Sequence, residues 1–570
     1  MNKCNNYMIP QAYELIDTAA FVNIQCNLQH PEPDPLDPNK SVYTGIIEQE
    51  VAVGDRIERM TVYIPENYVP VGELIMVFPE NGVSGTEFLR TSSYVKCADQ
   101  NGFILAVLEA PKKGWQPGDI QYSIQYADAA YFKANLREYY GFQESGFSCL
   151  GIGAGAYPAM AYSMFRSERI ASCAAVGKIG LHPQLFEQLK RLYANKLLEN
   201  PSNQPLSVLL SDAGPEDKEL IAFLKSFYDP ETFRNDRGYK VYFPKARTEH
   251  SWIGYQPCET FCIAESADAK SVCEFLTAFK RFFSDSMGRL LLTRTPRDMG
   301  LIRYEKTVNG KLRHWYVYEP TSYRKGRGKQ YPVVMAIPGY SCNAHYLAQI
   351  SDWHVVGEKR DFFVIYPCAF PGCTPGGCAP LPMWKSGKMY QHDRKDNEEF
   401  LKNIIGDMCN RYPLDTSRLY ITGHSNGSKM TQELLYDCPG LFAAAAPIGF
   451  VCGELGTNVL DDMPNEICPV WYIKGEHDIG IACDMSPDLA NQKMIDILCE
   501  VNKASLNPVI YHNGKYRNRI YYNDEKMPMV KFTEVTDMPH AQTPEMSLMI
   551  WDEYFSRFQR LQDGSVSYIW

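Results

Sequence analysis

At 570 residues the chain is longer than one hydrophobic core usually serves, so at least two domains are expected. An apolar fraction of 45% against 22% charged residues fits a soluble globular protein and excludes a disordered one. The net charge of −10, with no basic stripe, argues against nucleic acid or an anionic membrane surface as partner, and no apolar run approaches the roughly 20 residues of a spanning helix.

In chain order, residues 1–40 show no basic segment followed by an apolar core, so no secretory signal is expected. The cytoplasm is the expected location, with export the alternative if the chain begins downstream of a leader. Pro31 to Pro38 alternates prolines with acids and reads as an extended arm. Residues 41–288 then carry strand-like runs at Thr61–Ile64, Leu74–Phe78, Ser148–Ile152, Ile170–Val176 and Leu206–Ser211, with a helix expected over Ala267–Phe283. Gly151-x-Gly153-x-Gly155 invites a nucleotide-loop reading. The spacing fails, because the third glycine of that pattern would fall within Ala156-Tyr157-Pro158.

Residues 289–570 carry the chemistry. Pro332–Ile337 is a strand and Pro338–Ser341 the loop after it. Cys368, Cys373 and Cys378 share a Pro/Gly-rich loop that could hold a disulfide. Their spacing lacks the paired Cys or Cys/His groups of a zinc site, so neither metal nor cofactor is expected. Arg418–Thr422 is a strand, Ser428–Leu435 a helix, and between them lies Gly423-His424-Ser425-Asn426-Gly427. This is Gly-x-Ser-x-Gly in its structural context, a sharp strand-to-helix turn that lifts a serine above a sheet. Pro469–Ile473 is a further strand, and Asp478 sits just past it, where α/β sheets place functional side chains. Lys531–Val535 is the last strand of this region. His540 follows on a loop, and a helix is expected over Glu545–Phe558.

A serine hydroxyl needs a base to become a nucleophile. In the chain order Ser, Asp, His, His540 is the expected base and Asp478 the group that fixes its tautomer and stabilises the imidazolium. His477 and His424 are not read as bases, since neither follows the last strand. Oxyanion donors are expected from the main-chain N–H of Asn426, after the nucleophile, and of Tyr340, in the loop after the early strand. Trp384 and Tyr390, on the long loop from Cys368 to His392, are expected to face an acyl group, together with His424 beside the serine. The same constellation would serve an ester hydrolase, a serine peptidase or an acyltransferase. A non-catalytic binding protein is the remaining alternative.

From about Trp315 to Phe558 the chain resembles the polyhydroxybutyrate-depolymerase and feruloyl-esterase group of α/β hydrolases. The resemblance rests on Val333–Tyr340, Phe362–Pro367, Trp384, Asp396–Phe400, Tyr412–Gly423 and Cys438–Ala444. It implies a Ser425, Asp478, His540 triad, main-chain donors near Tyr340 and Asn426, and a short-chain, hydroxyalkanoate or feruloyl-type ester as substrate. One departure stands out: that group usually has His-Gly at the oxyanion loop, and here it is Pro338-Gly339.

The first region repeats the second. Thr61–Tyr68 matches Tyr316–Tyr323, Leu74–Pro79 matches Val333–Pro338, Asp128–Phe132 matches Asp396–Phe400, and Ile170–Gly177 matches Leu441–Gly449. Ser148–Gly155 occupies the place of Tyr420–Gly427, which puts Gly153 where Ser425 stands, and His250 before a final helix as His540 is. The acid position falls near Gly214. The expected architecture is α/β: an N-terminal arm over 1–40, a degenerate α/β-hydrolase domain over 41–288 and a catalytic one over 289–570. Each would have a mostly parallel sheet with helices on both faces. Without a hydroxyl at 153 the first copy cannot form an acyl-enzyme, and a structural or substrate-covering role, or a homo-oligomer contact, is expected of it.

Overall fold

The computed structural model describes residues 33–41, 43–133, 146–199, 206–236, 238–244, 258–282, 289–324, 328–372, 380–385, 391–449, 466–478 and 487–569. Two ten-stranded sheets dominate it. The first contains β1 (Gly45–Val53), β2 (Arg56–Ile64), β3 (Leu74–Phe78), β4 (Ile104–Leu108), β5 (Phe147–Ile152), β6 (Ile170–Val176), β7 (Ser207–Ser211), β8 (Tyr228–Asp236), β9 (Tyr239–Pro244) and β10 (Phe261–Ala264). The second contains β11 (Leu301–Val308), β12 (Lys311–Tyr318), β13 (Tyr331–Ile337), β14 (Phe363–Pro367), β15 (Leu414–His424), β16 (Ala444–Ile448), β17 (Val470–Gly475), β18 (Val509–Asn513), β19 (Tyr516–Tyr522) and β20 (Pro528–Val535).

The first sheet runs β1-β2-β4-β3-β5-β6-β7-β10-β9-β8, and the second runs β11-β12-β14-β13-β15-β16-β17-β20-β19-β18. The two orders are the same. In each, the centre is parallel (β4-β3-β5-β6-β7-β10 and β14-β13-β15-β16-β17-β20) and both ends are antiparallel. The expected α/β class and the internal repeat thus have a shared topology behind them.

The central strands are apolar on both faces because helices cover both. Successive side chains point opposite ways, so each strand feeds two cores. In β3, Leu74, Met76 and Phe78 join one cluster while Ile75 and Val77 join another. In β13, Val334 and Ala336 face one side, and Val333, Met335 and Ile337 the other. On the first sheet α1 (Ala156–Phe165) covers the face of Met76, and the helix Ala269–Thr277 covers the opposite one. On the second, the helix Gln391–Arg411 packs Phe400, Ile404 and Met408 on one face, and α3 (Pro544–Glu553) packs Met546 and Ile550 on the other.

Three expectations shift. The helix expected over Ala267–Phe283 stops at Thr277, because Phe279–Phe282 pairs antiparallel with Arg289–Leu292. That hairpin crosses the expected boundary at 288/289. Leu290 packs with Ala171 and Phe279 of the first half, while Leu291 packs into a core of the second. The helix expected to reach Phe558 ends at Glu553, and Phe558–Arg560 forms a short strand with Val566–Tyr568. The arm is not a free linker where it is described: Pro35 O accepts the N–H of Leu312, at the start of β12 (2.7 Å). Gln349 Nε2 to Leu292 O (2.6 Å) and Arg294 to Asp352 (3.2 Å) add further ties around the hairpin. Among the described residues no helix is long and apolar enough to cross a membrane.

Candidate active site

β15 ends at His424, and α2 (Asn426–Asp437) begins one residue after Ser425. The serine between them has φ 56° and ψ −119°, a conformation that costs an L-residue of order 1–3 kcal/mol and persists only where its surroundings enforce it. Enforcement comes from close packing. A Cβ on Gly427 would fall on the carbonyls of Ile337 and Pro338, so the turn can press onto the end of β13 only with glycine there. Ser425 N–H donates to Ile448 O (2.9 Å), which binds the turn to β16 as well. The serine itself is half-buried.

The residues expected as acid and base follow the next two parallel strands. Past β17, Asp478 turns back, its N–H donating to Gly475 O (3.1 Å), and the residue is 4% exposed. Past β20, His540 Nδ1–H donates to Asp478 Oδ1 (2.9 Å). That bond places the proton on Nδ1 and leaves Nε2 as the unprotonated ring nitrogen, the arrangement the expected base requires. Glu476, on the same loop as Asp478, holds the His540 loop by accepting the Asp537 N–H (3.0 Å) and pairs with Arg517 (3.2 Å). Glu476, His477 and Asp537 have the spacing of a cation site, but Glu476 is already engaged by these two donors.

The residue before the serine brings the pair to the elbow. The His424 ring lies 4.7 Å from the His540 ring, centroid to centroid, tilted by 37°. His424 is 1% exposed; burial, and then the neighbouring His540, hold its pKa well below the usual histidine value, so it stays neutral beside His540. Gly449, at the end of β16 with φ 84°, is where the group converges. A Cβ there would lie 3.1 Å from His540 Cε1, 3.2 Å from Asp478 Oδ2 and 3.2 Å from His424 Nε2. The sequence offered a signal for Gly449, since its repeat partner Gly177 also follows a strand.

The loop expected to supply an oxyanion donor lies against the serine. A Cβ on Gly339 would be 3.3 Å from Ser425 Cβ and 3.3 Å from His424 O. Asn426 is the first residue of α2, and first-turn N–H groups have no acceptor within their helix. Its side chain clamps the main chain of Trp384, Oδ1 accepting from Trp384 N (2.7 Å) and Nδ2 donating to Trp384 O (3.0 Å). The Trp384 indole in turn donates to Pro338 O (2.9 Å). Trp384 is 1% exposed. The substrate-facing role expected of it gives way to a packing one: its indole bonds the loop after β13 and its main chain bonds the first residue of α2. His424 is likewise buried against His540 rather than open to an acyl chain. Tyr390, Cys373 and Cys378 lie outside the described residues. Cys368 is buried, which pushes its thiol up to about 12.

The first half keeps the scaffold. Gly153 has φ 56°, the same as Ser425. Gly177 N–H donates to Ser211 O (2.9 Å) as Gly449 N–H does to Ile473 O (2.8 Å). Asp217, close to the expected acid position near Gly214, turns its buried carboxylate to the N–H groups of Ile179 (3.3 Å), Gly180 (2.8 Å) and Gly214 (2.9 Å). It thus caps a loop rather than orienting a base. His250 lies outside the described residues.

No protein-family model matches the chain. Acetylxylan esterase A of Aspergillus ficuum is 28% identical over 213 residues, 35% of this chain and 63% of that protein. The chain is similar to acetylxylan esterases. Poly(3-hydroxyalkanoate) depolymerase C of Paucimonas lemoignei is 30% identical over 118 residues, 20% of this chain and 27% of that protein. These relatives are of the same group whose motifs the sequence resembles. The chain spans less than two thirds of their length. Among solved structures, acetyl xylan esterase from Aspergillus awamori aligns with 18% identity and a TM-score of 0.35, over 45% of this chain and 99% of that one.

Proposed function

We propose that the second half is a serine carboxylic ester hydrolase that works through an acyl-enzyme, and that its substrates are short acyl esters, acetyl first among them. The observation that carries the reading is the strained Ser425 at a strand-to-helix elbow whose preceding residue packs on a His540–Asp478 pair. The similarity to proteins named acetylxylan esterase supports the acyl group, and a hydroxyalkanoate ester is the second choice on the depolymerase similarity.

In this mechanism Ser425 Oγ attacks the ester carbonyl while His540 Nε2 takes its proton. Asp478 stabilises the imidazolium that forms. The main-chain N–H groups of Asn426 and Tyr340 receive the oxyanion, and Gly339 gives them room. His540 then protonates the departing alcohol, leaving an acyl group on Ser425. Water, deprotonated by the same imidazole, releases the acid. The loop held by Trp384 keeps the two donors at a fixed separation, which matters because such donors act only when preorganised.

The test is a panel of acetyl, hydroxybutyryl and feruloyl esters with the matching amides, read alongside labelling by a serine-directed phosphonate. Ester turnover fastest on acetyl groups, with Ser425 as the labelled residue, is expected. Turnover of amides at comparable rates would make the chain a peptidase. Label on another serine would remove Ser425 from the mechanism.

A further inference from the structure

After β3 the first half reads Phe78-Pro79-Glu80-Asn81, where after β13 the second reads Ile337-Pro338-Gly339-Tyr340. Packing sets the correspondence independently of the sequence match. A Cβ on Gly155 would fall on the carbonyls of Phe78 and Pro79, as one on Gly427 would on those of Ile337 and Pro338. Trp115 donates its indole N–H to Pro79 O (2.8 Å), as Trp384 does to Pro338 O. Glu80 therefore stands in the place of Gly339, Asn81 in that of Tyr340, and Ala154 in that of Asn426.

The Glu80 carboxylate accepts from both counterparts of the proposed oxyanion donors. Oε2 takes the N–H of Ala154 (3.1 Å), and Oε1 takes the N–H of Asn81 (2.7 Å). A Cβ on Gly153 would fall on the same carboxylate. We infer that the first half retains a two-donor anion hole as a binding site for a small carboxylate, and that Glu80 fills it in cis.

The chemistry favours this occupant. Main-chain N–H groups where a strand turns into a helix favour negative charge, and an oxyanion hole is built for an oxygen bearing one. A carboxylate tethered beside the hole competes at a far higher effective concentration than a free acid. The two halves make opposite choices at the same pair of positions. One has a side chain at 425 and none at 339, the other a side chain at 80 and none at 153, and in the first half a Cβ at 153 would meet the Glu80 carboxylate where it now lies. Calling the cradle an oxyanion hole rests on the chemistry proposed for the second half. The Glu80 contacts do not, and the test below reads binding and stability, so it stands even if Ser425 proves inert.

In the full chain, Glu80→Gly vacates the hole with the residue found at its counterpart. Glu80→Gln keeps a carbonyl oxygen to fill it. With acetate as probe against chloride at equal ionic strength, Glu80→Gly is expected to gain an acetate-dependent rise in Tm beyond that of the wild type, and Glu80→Gln to gain none. An acetate response in Glu80→Gly no larger than in the wild type would overturn the inference, as would equal responses in the two variants. A second reading uses Gly153→Ser. Its positive-φ strain is common to both backgrounds, so the fall in Tm it causes is expected to be smaller when Glu80→Gly is also present. Equal falls would mean that side chains at 80 and 153 do not compete, and would sink the idea.

Discussion

Gly153 and Ser425 share a backbone conformation but not a side chain. The comparison separates what builds a nucleophile elbow from what uses it. In the second half φ 56° could be read as strain retained for catalysis. In the first, where there is no nucleophile, the same angle persists with the same glycine pressed on the end of a strand and the same indole-to-carbonyl bond. The elbow is thus a consequence of how a β-strand turns into a helix against its neighbour, and catalysis adds only the residues placed on it.

The largest test of that separation is chemical. His540→Ala is expected to lower kcat on the order of 10³-fold or more, as removal of a triad member does, and Asp478→Asn to be severe but milder. Neither should move Tm much. Full activity in Asp478→Asn would place the acid elsewhere.

A structural test should then strike both halves alike. Gly427→Ala and Gly155→Ala each push a methyl into main-chain carbonyls, so each is expected to cost about 1–3 kcal/mol in denaturant unfolding. If only Gly427→Ala were costly, the shared-scaffold account would fail.

Acid should distinguish the halves. His354 is 5% exposed, and burial pushes its pKa down to about 4; buried His424 is also held well below the usual value. Both pKa values are depressed on folding, so the unfolded chain binds more protons than the folded one once pH falls below the ordinary histidine value of 6.5. Stability is therefore full above that pH. It is lost toward pH 4 at about 1.4 kcal/mol per pH unit for each histidine. Both residues belong to the second half, which should unfold first in an acid titration followed by proteolysis. His354→Gln should flatten that dependence.

The smallest effect concerns the indoles. Trp115→Phe and Trp384→Phe each remove one buried hydrogen bond and should cost about 1 kcal/mol of stability. Only Trp384→Phe should also lower kcat with KM little changed, because only its loop flanks the oxyanion hole proposed to work in catalysis. Equal kinetic effects would mean that Trp384 acts through general stability.

The sheets, the repeat and the elbow were legible because each leaves a local trace. Apolar runs such as Leu74–Phe78 and Val333–Ile337 mark strands buried on both faces, and Gly-x-Ser-x-Gly between a strand and a helix marks a turn. The Asp478–His540 pairing was legible from chain order and from each residue's place just past a parallel strand. What escaped depends on tertiary direction. An aromatic on a loop has the same letter whether it faces a substrate or, as Trp384 does, lies under the chain holding Pro338. Glu80 was visible opposite Gly339 in the repeat, yet nothing local says that its carboxylate folds back onto Ala154. The helix over Ala267–Phe283 reads too long because Phe279–Phe282 continues an amphipathic pattern that suits a helix equally. Its pairing with Arg289–Leu292 decides otherwise.

The bond from Leu312 to Pro35 bears on how the chain comes to be folded as it is made. All ten strands of the first sheet precede Leu301, so that sheet can close while the ribosome is still adding the second. The arm cannot settle then, because its acceptor waits for a donor on β12. The contact of Pro35 with Leu312 thus forms late, across a first sheet that can already be closed, and the arm docks only once the second half supplies its donor.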